Sequence, residues 1–333
     1  MNGITEKLEE MLPIIGARIA KNNKYLSEEE KKEFLENLDS PEQHSPKWHE
    51  WGIITHTKKF REMYDNEVQK YLKDWDVKNY TDKWLNEEID GKKKSELLRI
   101  SIPLHDLGKF NKQVIYKDGK KSYEFEGHEK ESERIIKEDF VKEELQKLGL
   151  TENQIKYVAE CAGNHYALGI IRKKAKETSL EYTIEFAKSE EFKEIAERSI
   201  EKDLEYKDQD IKYRVGYASN PVEAAIKYSK DDKFRIEKGL LFLADSLAKT
   251  ELRMTAVYND ADIKVKSKPI EKIIEEKGMN KSLINAVEQM PVNTAVAKWY
   301  LRNLSRAENK RRERLDRERR EWHEDDEKND GWG

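Results

Sequence analysis

Apolar residues recur at helical spacing along most of the chain. In residues 4–22 the apolar positions include Leu8, Leu12, Ile15 and Ile19, which fall on one face of a helix. Similar stretches follow further along the sequence. The pattern predicts an all-α protein built as a helical bundle.

Residues 94–107 form the most apolar segment and are predicted to be the central, buried helix. Pro103 falls near the end of this segment, and a proline removes a backbone hydrogen bond and bends a helix. Further helices are predicted over residues 235–254 and 292–304.

Two helix starts carry the capping-box pattern, in which Ser or Thr is followed three residues later by Glu or Gln. They are Ser27 with Glu30 and Thr151 with Gln154. Residues 113–125 differ, because apolar and polar positions alternate there around an Asp-Gly pair. Such a pair between alternating segments predicts a small β-hairpin.

The composition fits long, solvated helices. Charged residues make up 40% of the 333 residues and hydrophobic residues 36%, with a mean hydropathy of -0.99. The net charge of -4 provides no global field that would attract nucleic acid, so any site for a polyanion must be a local patch. The single cysteine, Cys161, allows no disulfide within the chain and is expected to be a buried apolar group. No run approaches about 18 apolar residues, so we expect no membrane span. A chain that can form no internal disulfide fits a reducing compartment, and we expect a cytoplasmic protein.

The chain divides into four predicted parts. N-terminal helices cover residues 1–45, and a central domain covers residues 46–255, whose bounds are those of the family resemblance given below. A helical insertion is predicted within that domain at about 170–235. A helical extension covers residues 256–304, and a charged tail, partly disordered, covers residues 305–333.

Four of the seven histidines and two aspartates form one series along the predicted helices. The series is His56, His105, Asp106, His128, His165 and Asp245. His105 and Asp106 are adjacent, and adjacent residues point in different directions from a regular helix. This pair can therefore serve one centre only where the helix ends, and Gly108 is predicted to end it.

Imidazole and carboxylate are ligands for transition metals such as Mn, Fe, Co and Zn. Two ions about 3.5–4 Å apart can clamp the attacking and leaving oxygens of a phosphoryl displacement. Asp106 lies in the middle of the series and is the predicted bridge between two ions.

The series resembles the HD-domain superfamily of metal-dependent phosphohydrolases over residues 46–255. The motifs that carry the resemblance are His49-Glu50-Trp51-Gly52 with His56-Thr57, Leu104-His105-Asp106-Leu107-Gly108-Lys109, Gly127-His128-Glu129 with Ser132, and Asn164-His165-Tyr166. Two features depart from the family pattern. Pro103 precedes the His-Asp pair, and about eighty residues separate His165 from Asp245.

The resemblance implies a two-ion centre that activates a water for attack on phosphorus. It implies one ion surrounded by His56, His105, Asp106 and Asp245, and a second held by Asp106, His128 and His165. The ions would be Mn, Fe, Co, Ni or Zn, with Mg as a further candidate.

Two residues close to the series in sequence are candidates for catalysis or substrate binding. Lys109 either neutralises charge on phosphoryl oxygens or only caps a helix end, where a cation is favoured. His49 lies two turns before His56 if one helix begins at about Trp48, and it either reaches the substrate or serves packing.

A basic cluster follows His165. Arg172, Lys173 and Lys174 either bind substrate phosphates or begin a solvated helix. His44 lies in a loop, has no partner in the pattern, and is predicted to be exposed.

The implied substrate is a nucleotide, a cyclic nucleotide or an oligonucleotide, and single-stranded nucleic acid is a further candidate. No phosphate-binding loop of the GxxxxGK[ST] type occurs in the sequence. Two other functions stay open. One is a di-iron oxygenase with the same ligands, and the other is an inactive nucleotide- or nucleic-acid-binding module with a structural metal.

Overall fold

A computed structural model describes residues 3–138, 140–169, 233–252, 258–259, 262–263 and 274–329. Helices dominate these residues, so the predicted mostly helical fold is confirmed. The α-helices are α1 (Ile4–Lys21), α2 (Glu28–Glu36), α3 (Ile53–Met63), α4 (Gln69–Asp74), α5 (Lys78–Leu85), α6 (Lys94–Ser101), α7 (His128–Glu138), α8 (Phe140–Lys147), α9 (Glu152–Asn164), α10 (Arg235–Ala248) and α11 (Ile284–Asn329).

The strands form short antiparallel pairs. They are β1 (Glu88–Ile89) with β2 (Lys92–Lys93), β3 (Gln113–Lys117) with β4 (Lys120–Glu124), and β5 (Tyr258–Asn259) with β6 (Asp262–Ile263). The pair β3–β4 is the hairpin predicted from the Asp-Gly signal. Asp118 and Gly119 both have positive φ, 52° and 72°, as a tight two-residue hairpin turn requires.

The central apolar segment is helical only in its first half. Helix α6 ends at Ser101, and 3-10 turns follow at Ile102–Leu104 and Leu107–Phe110. Pro103 lies in the first of these turns, so the predicted helix over residues 94–107 ends at Ser101 where the sequence predicted only a bend. The change of direction lets His105 and Asp106 face one centre.

The prediction that one helix begins at Trp48 and carries His49 is wrong. Helix α3 begins at Ile53, because Asp39 caps it from an earlier turn. The Asp39 carboxylate accepts hydrogen bonds from the backbone N–H groups of Ile54, at 2.8 Å, and of Thr55, at 2.9 Å. His49 therefore lies in the connection before the helix.

Helix α10 is the most deeply buried helix, since every residue from Ile236 to Ala248 is buried. It packs against α3 and α11, while α7 packs against α9. Helix α10 buries Glu237, Lys238 and Asp245 together with its apolar side chains, so all of its faces are covered by other parts of the protein. The helices that carry the histidine and aspartate series therefore meet around one core.

The capping boxes at Ser27 and Thr151 are confirmed, and Cys161 is fully buried. Helix α11 was predicted to start at about residue 292. It starts at Ile284 instead, after a 3-10 turn in which the Asn280 side chain accepts a hydrogen bond from the backbone N–H of Ser282. No helix in the described part of the chain is long and apolar enough to cross a bilayer.

Lys112 is buried between the hairpin and the N-terminal helices. Its Nζ lies 3.7 Å from the ring centre of Phe34 and 3.6 Å from that of Tyr123. It donates hydrogen bonds of 2.8 Å to both the backbone carbonyl and the side-chain oxygen of Gln43. Burial lowers the pKa of Lys112 to about 6.

This pKa predicts how stability depends on pH. Lysine in an unfolded chain titrates near about 10.4. Between the folded and the unfolded pKa, the unfolded chain binds a proton that the folded chain does not. Folding must release this proton, and the cost of releasing it falls as the pH rises. The free energy of unfolding should therefore increase with pH across that window, by up to about 1.4 kcal/mol per pH unit.

The measurement is the free energy of unfolding of wild type and of Lys112→Met at pH 7, 8 and 9. We expect the difference between the two proteins to grow in favour of wild type as the pH rises. A constant difference would mean that Lys112 stays protonated against the rings of Phe34 and Tyr123, and the predicted pH dependence would be wrong.

Candidate metal centre

Asp106 lies at the centre of a cluster of buried histidines. Its Oδ2 atom is 3.1 Å from His105 Nε2 and 3.8 Å from His56 Nε2. Its Oδ1 atom is 3.2 Å from His128 Nε2 and 3.7 Å from His165 Nε2. The two carboxylate oxygens of Asp106 therefore face two different pairs of imidazoles.

These contacts define two sets of side chains that could hold a metal ion among the described residues. One set is His56, His105 and Asp106, and the other is Asp106, His128 and His165. Within each set all the ligand atoms lie within 4.8 Å of one another. Asp106 is the residue that the two sets share.

The backbone orients three of the imidazoles. Nδ1 donates a hydrogen bond of 2.7 Å to a backbone carbonyl in His105, in His128 and in His165. A carbonyl oxygen only accepts, so in the neutral ring the proton is on Nδ1 and Nε2 keeps a lone pair. Each Nε2 lone pair is thus directed towards Asp106, the arrangement that outer contacts impose on metal-binding histidines.

Buried atoms without a hydrogen-bond partner indicate whether the cluster suits a metal ion. His105 Nε2, His128 Nε2 and Asp106 Oδ1 are buried and make no hydrogen bond in the described structure, although they lie 3.1–3.2 Å from the facing carboxylate or imidazole atoms. Two ligands that share one ion at about 2.1 Å stand about 3.0–3.4 Å apart. Buried polar atoms are costly without a partner, and a cation between these would satisfy them. The residues fit a divalent metal.

The protonation states also suit metal binding. Burial disfavours the charged form of Asp106, but the ammonium group of Lys109 beside it favours that form, and the pKa of Asp106 lies well below its usual range. Burial holds the pKa of His165 well below its usual value, and it lowers the pKa of His56 despite the opposing effect of Asp245. A carboxylate and neutral imidazoles are the forms that bind metals.

Asp245 stands beside the first set. Its Oδ1 atom is 3.1 Å from His56 Nε2, and its Oδ2 atom is 3.2 Å from Lys249 Nζ. Burial opposes the charged form of Asp245, but Lys249 and His56 lower its pKa well below the usual range. Asp245 is therefore an anion in contact with one of the candidate ligands.

The prediction that Gly108 ends an α-helix is wrong. It lies in a 3-10 turn, and a Cβ atom on it would come within 2.2 Å of the backbone carbonyl oxygen of His128. Its N–H donates a hydrogen bond of 2.9 Å to Ser132 Oγ. Gly108 thus allows the start of α7, with His128, to approach the segment that carries Asp106.

Lys109 is buried against Asp106. Its Nζ lies 2.8 Å from Asp106 Oδ2 and 2.9 Å from His44 Nε2. His49 stacks on His44 with ring centres 3.8 Å apart, and its Nδ1 has no hydrogen-bond partner among the described residues. Both candidate residues from the sequence therefore lie at the cluster.

The prediction that His44 is exposed is wrong. His44 is completely buried, in the 3-10 turn Pro41–His44, with Nε2 3.8 Å from Asp106 Oδ2. The turn places His44 beside the cluster, and the amino-acid composition of the loop gives no indication of that position. The only available signal was that every histidine except His323 falls before residue 166.

A cavity of about 680 Å³ opens beside the cluster. His49, Lys109, His128, His165 and Asp245 line it, and so do the aromatic side chains of Trp48, Tyr123, Phe125 and Tyr166. Its size lies within the range of about 300–1,000 Å³ that is common for small-molecule sites. Arg172, Lys173 and Lys174, the predicted phosphate contacts, lie outside the described residues, as do residues 170–232 of the predicted insertion.

Comparison with known proteins yields no relative. No family model matches the chain, no curated protein matches it, and no solved structure matches it. The findings define a mostly helical protein with a buried cluster of histidines and aspartates that could hold metal.

Proposed function

We propose that this protein is a metal-dependent phosphohydrolase or phosphodiesterase of the HD type. Its substrate would be a nucleotide, a cyclic nucleotide, an oligonucleotide or single-stranded nucleic acid. The observation that carries the proposal is the position of Asp106, whose two oxygens face separate pairs of imidazoles, His56 with His105 and His128 with His165.

Divalent ions bound there would polarise a phosphoryl oxygen and lower the pKa of a water molecule. His56, His105 and Asp106 would hold one ion, with Asp245 beside them, and Asp106, His128 and His165 would hold the other. The carbonyl contacts of His105, His128 and His165 keep the ring nitrogens in place before any ion arrives.

Lys109 supplies positive charge at the edge of the cavity. Two of its three ammonium protons are used on Asp106 and His44, and Lys109 also lines the cavity. The remaining donor can meet a phosphoryl oxygen and stabilise the charge that develops on it. The aromatic side chains of Trp48, Phe125 and Tyr166 offer apolar surface for a nucleobase.

The test is a substrate screen of the protein loaded with Mn, Fe, Co, Ni, Zn or Mg. The substrates are nucleoside mono- and triphosphates, cyclic and dinucleotides, and single-stranded DNA and RNA, each assayed with and without oxygen. We expect release of phosphate or cleavage of a phosphodiester with at least one metal, with or without oxygen. Substrate turnover that requires oxygen would favour the di-iron oxygenase, and metal binding with no turnover of any substrate would favour an inactive module.

A further inference from the structure

We propose that His44 is a positioning residue that holds the ammonium group of Lys109 between Asp106 and the cavity. His44 belongs to none of the motifs in the histidine and aspartate series, yet its ring is fully buried beside them. The kinetic part of the test rests on the proposed function, and the chemical-labelling part does not.

The orientation of the His44 ring is fixed by the backbone. Nδ1 lies 2.9 Å from the carbonyl oxygen of Trp51, and since that oxygen only accepts, Nδ1 carries the proton. Nε2 of the neutral ring is then an acceptor. It receives a hydrogen bond of 2.9 Å from Lys109 Nζ.

His44 and Asp106 hold the lysine from two sides. His44 Nε2 and Asp106 Oδ2 are 3.8 Å apart, and Lys109 Nζ lies 2.9 Å from the first atom and 2.8 Å from the second. A lysine side chain loses about 2 kcal/mol of rotamer freedom when it is fixed, so two acceptors in fixed positions are needed to hold it reliably. The same two contacts leave one N–H to point elsewhere.

The turn that carries His44 is itself anchored to the Lys109 segment. Lys112, three residues after Lys109, donates two hydrogen bonds to Gln43, the residue before His44. The His49 ring stacks on the His44 ring, with the two ring centres 3.8 Å apart. The acceptor is thus held in place by the surrounding structure, as preorganised catalytic groups are.

The experiment compares His44→Phe with His44→Gln. Phenylalanine keeps a ring against His49 but has no acceptor, so Lys109 is left with Asp106 alone. Glutamine can accept from Lys109 through its oxygen and donate to the Trp51 carbonyl through its nitrogen. His44→Asn, which is too short to reach Lys109, is a second removal variant in case the phenylalanine protein does not fold.

The first readout is the rate at which an acylating reagent modifies the Lys109 amine in metal-free protein, followed by mass spectrometry. We expect several-fold faster modification in His44→Phe or His44→Asn, and a rate close to wild type in His44→Gln. His49→Phe is the matched control for this readout, because it alters the stacked neighbour without removing the acceptor. This readout decides the contact between His44 and Lys109 even if the wild type hydrolyses no substrate in the screen above.

The second readout is steady-state kinetics of the metal-loaded protein. Loss of a residue that orients a catalytic group costs on the order of 10- to 100-fold in activity. We expect a fall of that size in kcat for His44→Phe, with little change in KM, and recovery in His44→Gln. In a protein that already carries Lys109→Met, the further change His44→Phe should not lower kcat again, because His44 acts through the lysine.

A folded His44→Phe or His44→Asn protein with wild-type labelling of Lys109 would overturn the proposal. So would a loss of kcat that glutamine does not restore and that adds fully to the effect of Lys109→Met. A change confined to the melting temperature would leave His44 as a packing residue only.

Discussion

Replacement of Asp106 with asparagine is expected to remove metal from both ion positions at once. The change keeps the shape of the side chain but removes the negative charge that the two sets share. His128 and His165 would then be left alone at one position, and His56 and His105 would be left with the neighbouring Asp245 at the other. If the proposed function is right, turnover should fall by on the order of a thousandfold, because metal ions supply several kcal/mol of transition-state stabilisation.

The matched control is Glu237→Gln, which makes the same kind of change at a buried carboxylate in α10. Glu237 is fully buried and accepts hydrogen bonds from Tyr157 and from Trp84, away from the candidate metal sets. It should alter the melting temperature and leave the metal content unchanged. A folded Asp106→Asn protein with wild-type metal content would show that Asp106 is not the shared ligand.

Replacement of Gly108 with alanine is expected to destabilise the protein and to weaken one ion position more than the other. The new Cβ would lie 2.2 Å from the His128 carbonyl oxygen and 3.0 Å from the Glu131 Cβ. Both belong to α7, so the helix must move away. Overpacking of this kind costs about 1–3 kcal/mol or more. The displaced His128 should weaken the ion held with His165, while the set of His56 and His105 is retained.

The control for Gly108 is Gly91→Ala, in the turn between β1 and β2. Gly91 has a φ of 82°, but a Cβ there would meet open space. It should cost about 1 kcal/mol through backbone strain and leave both ion positions intact. The measurements are thermal melts and the number of ions bound per chain. Unchanged melting and two retained ions in Gly108→Ala would mean that the close approach of α7 does not position His128.

The helices and the hairpin could be predicted because they depend on local patterns, whereas the grouping of the histidine series rested on the resemblance to the HD-domain superfamily. Apolar spacing predicted α1, the Asp-Gly pair predicted the β3–β4 hairpin, and Pro103 predicted a change of direction near the end of the central segment. Each of these features is determined by a few neighbouring residues and by the conformations that they allow.

Two of the errors lie where distant parts of the chain meet. The start of α3 depends on Asp39, which caps it from fourteen or more positions earlier. The burial of His44 depends on Lys109 and Lys112, from a segment more than sixty residues away. The sequence pattern near His44 gives no sign of those contacts, so the sequence alone predicts an exposed loop residue.

The central claim is that the Asp106 cluster holds divalent metal, and direct determination of metal content tests it. The protein is loaded with Mn or Fe without oxygen, freed of unbound metal, and measured by elemental analysis beside Asp106→Asn. The account predicts two ions per wild-type chain and close to none in the variant. A wild-type chain that retains no more transition metal than Asp106→Asn would contradict the account, and a single retained ion would contradict the bridging role of Asp106.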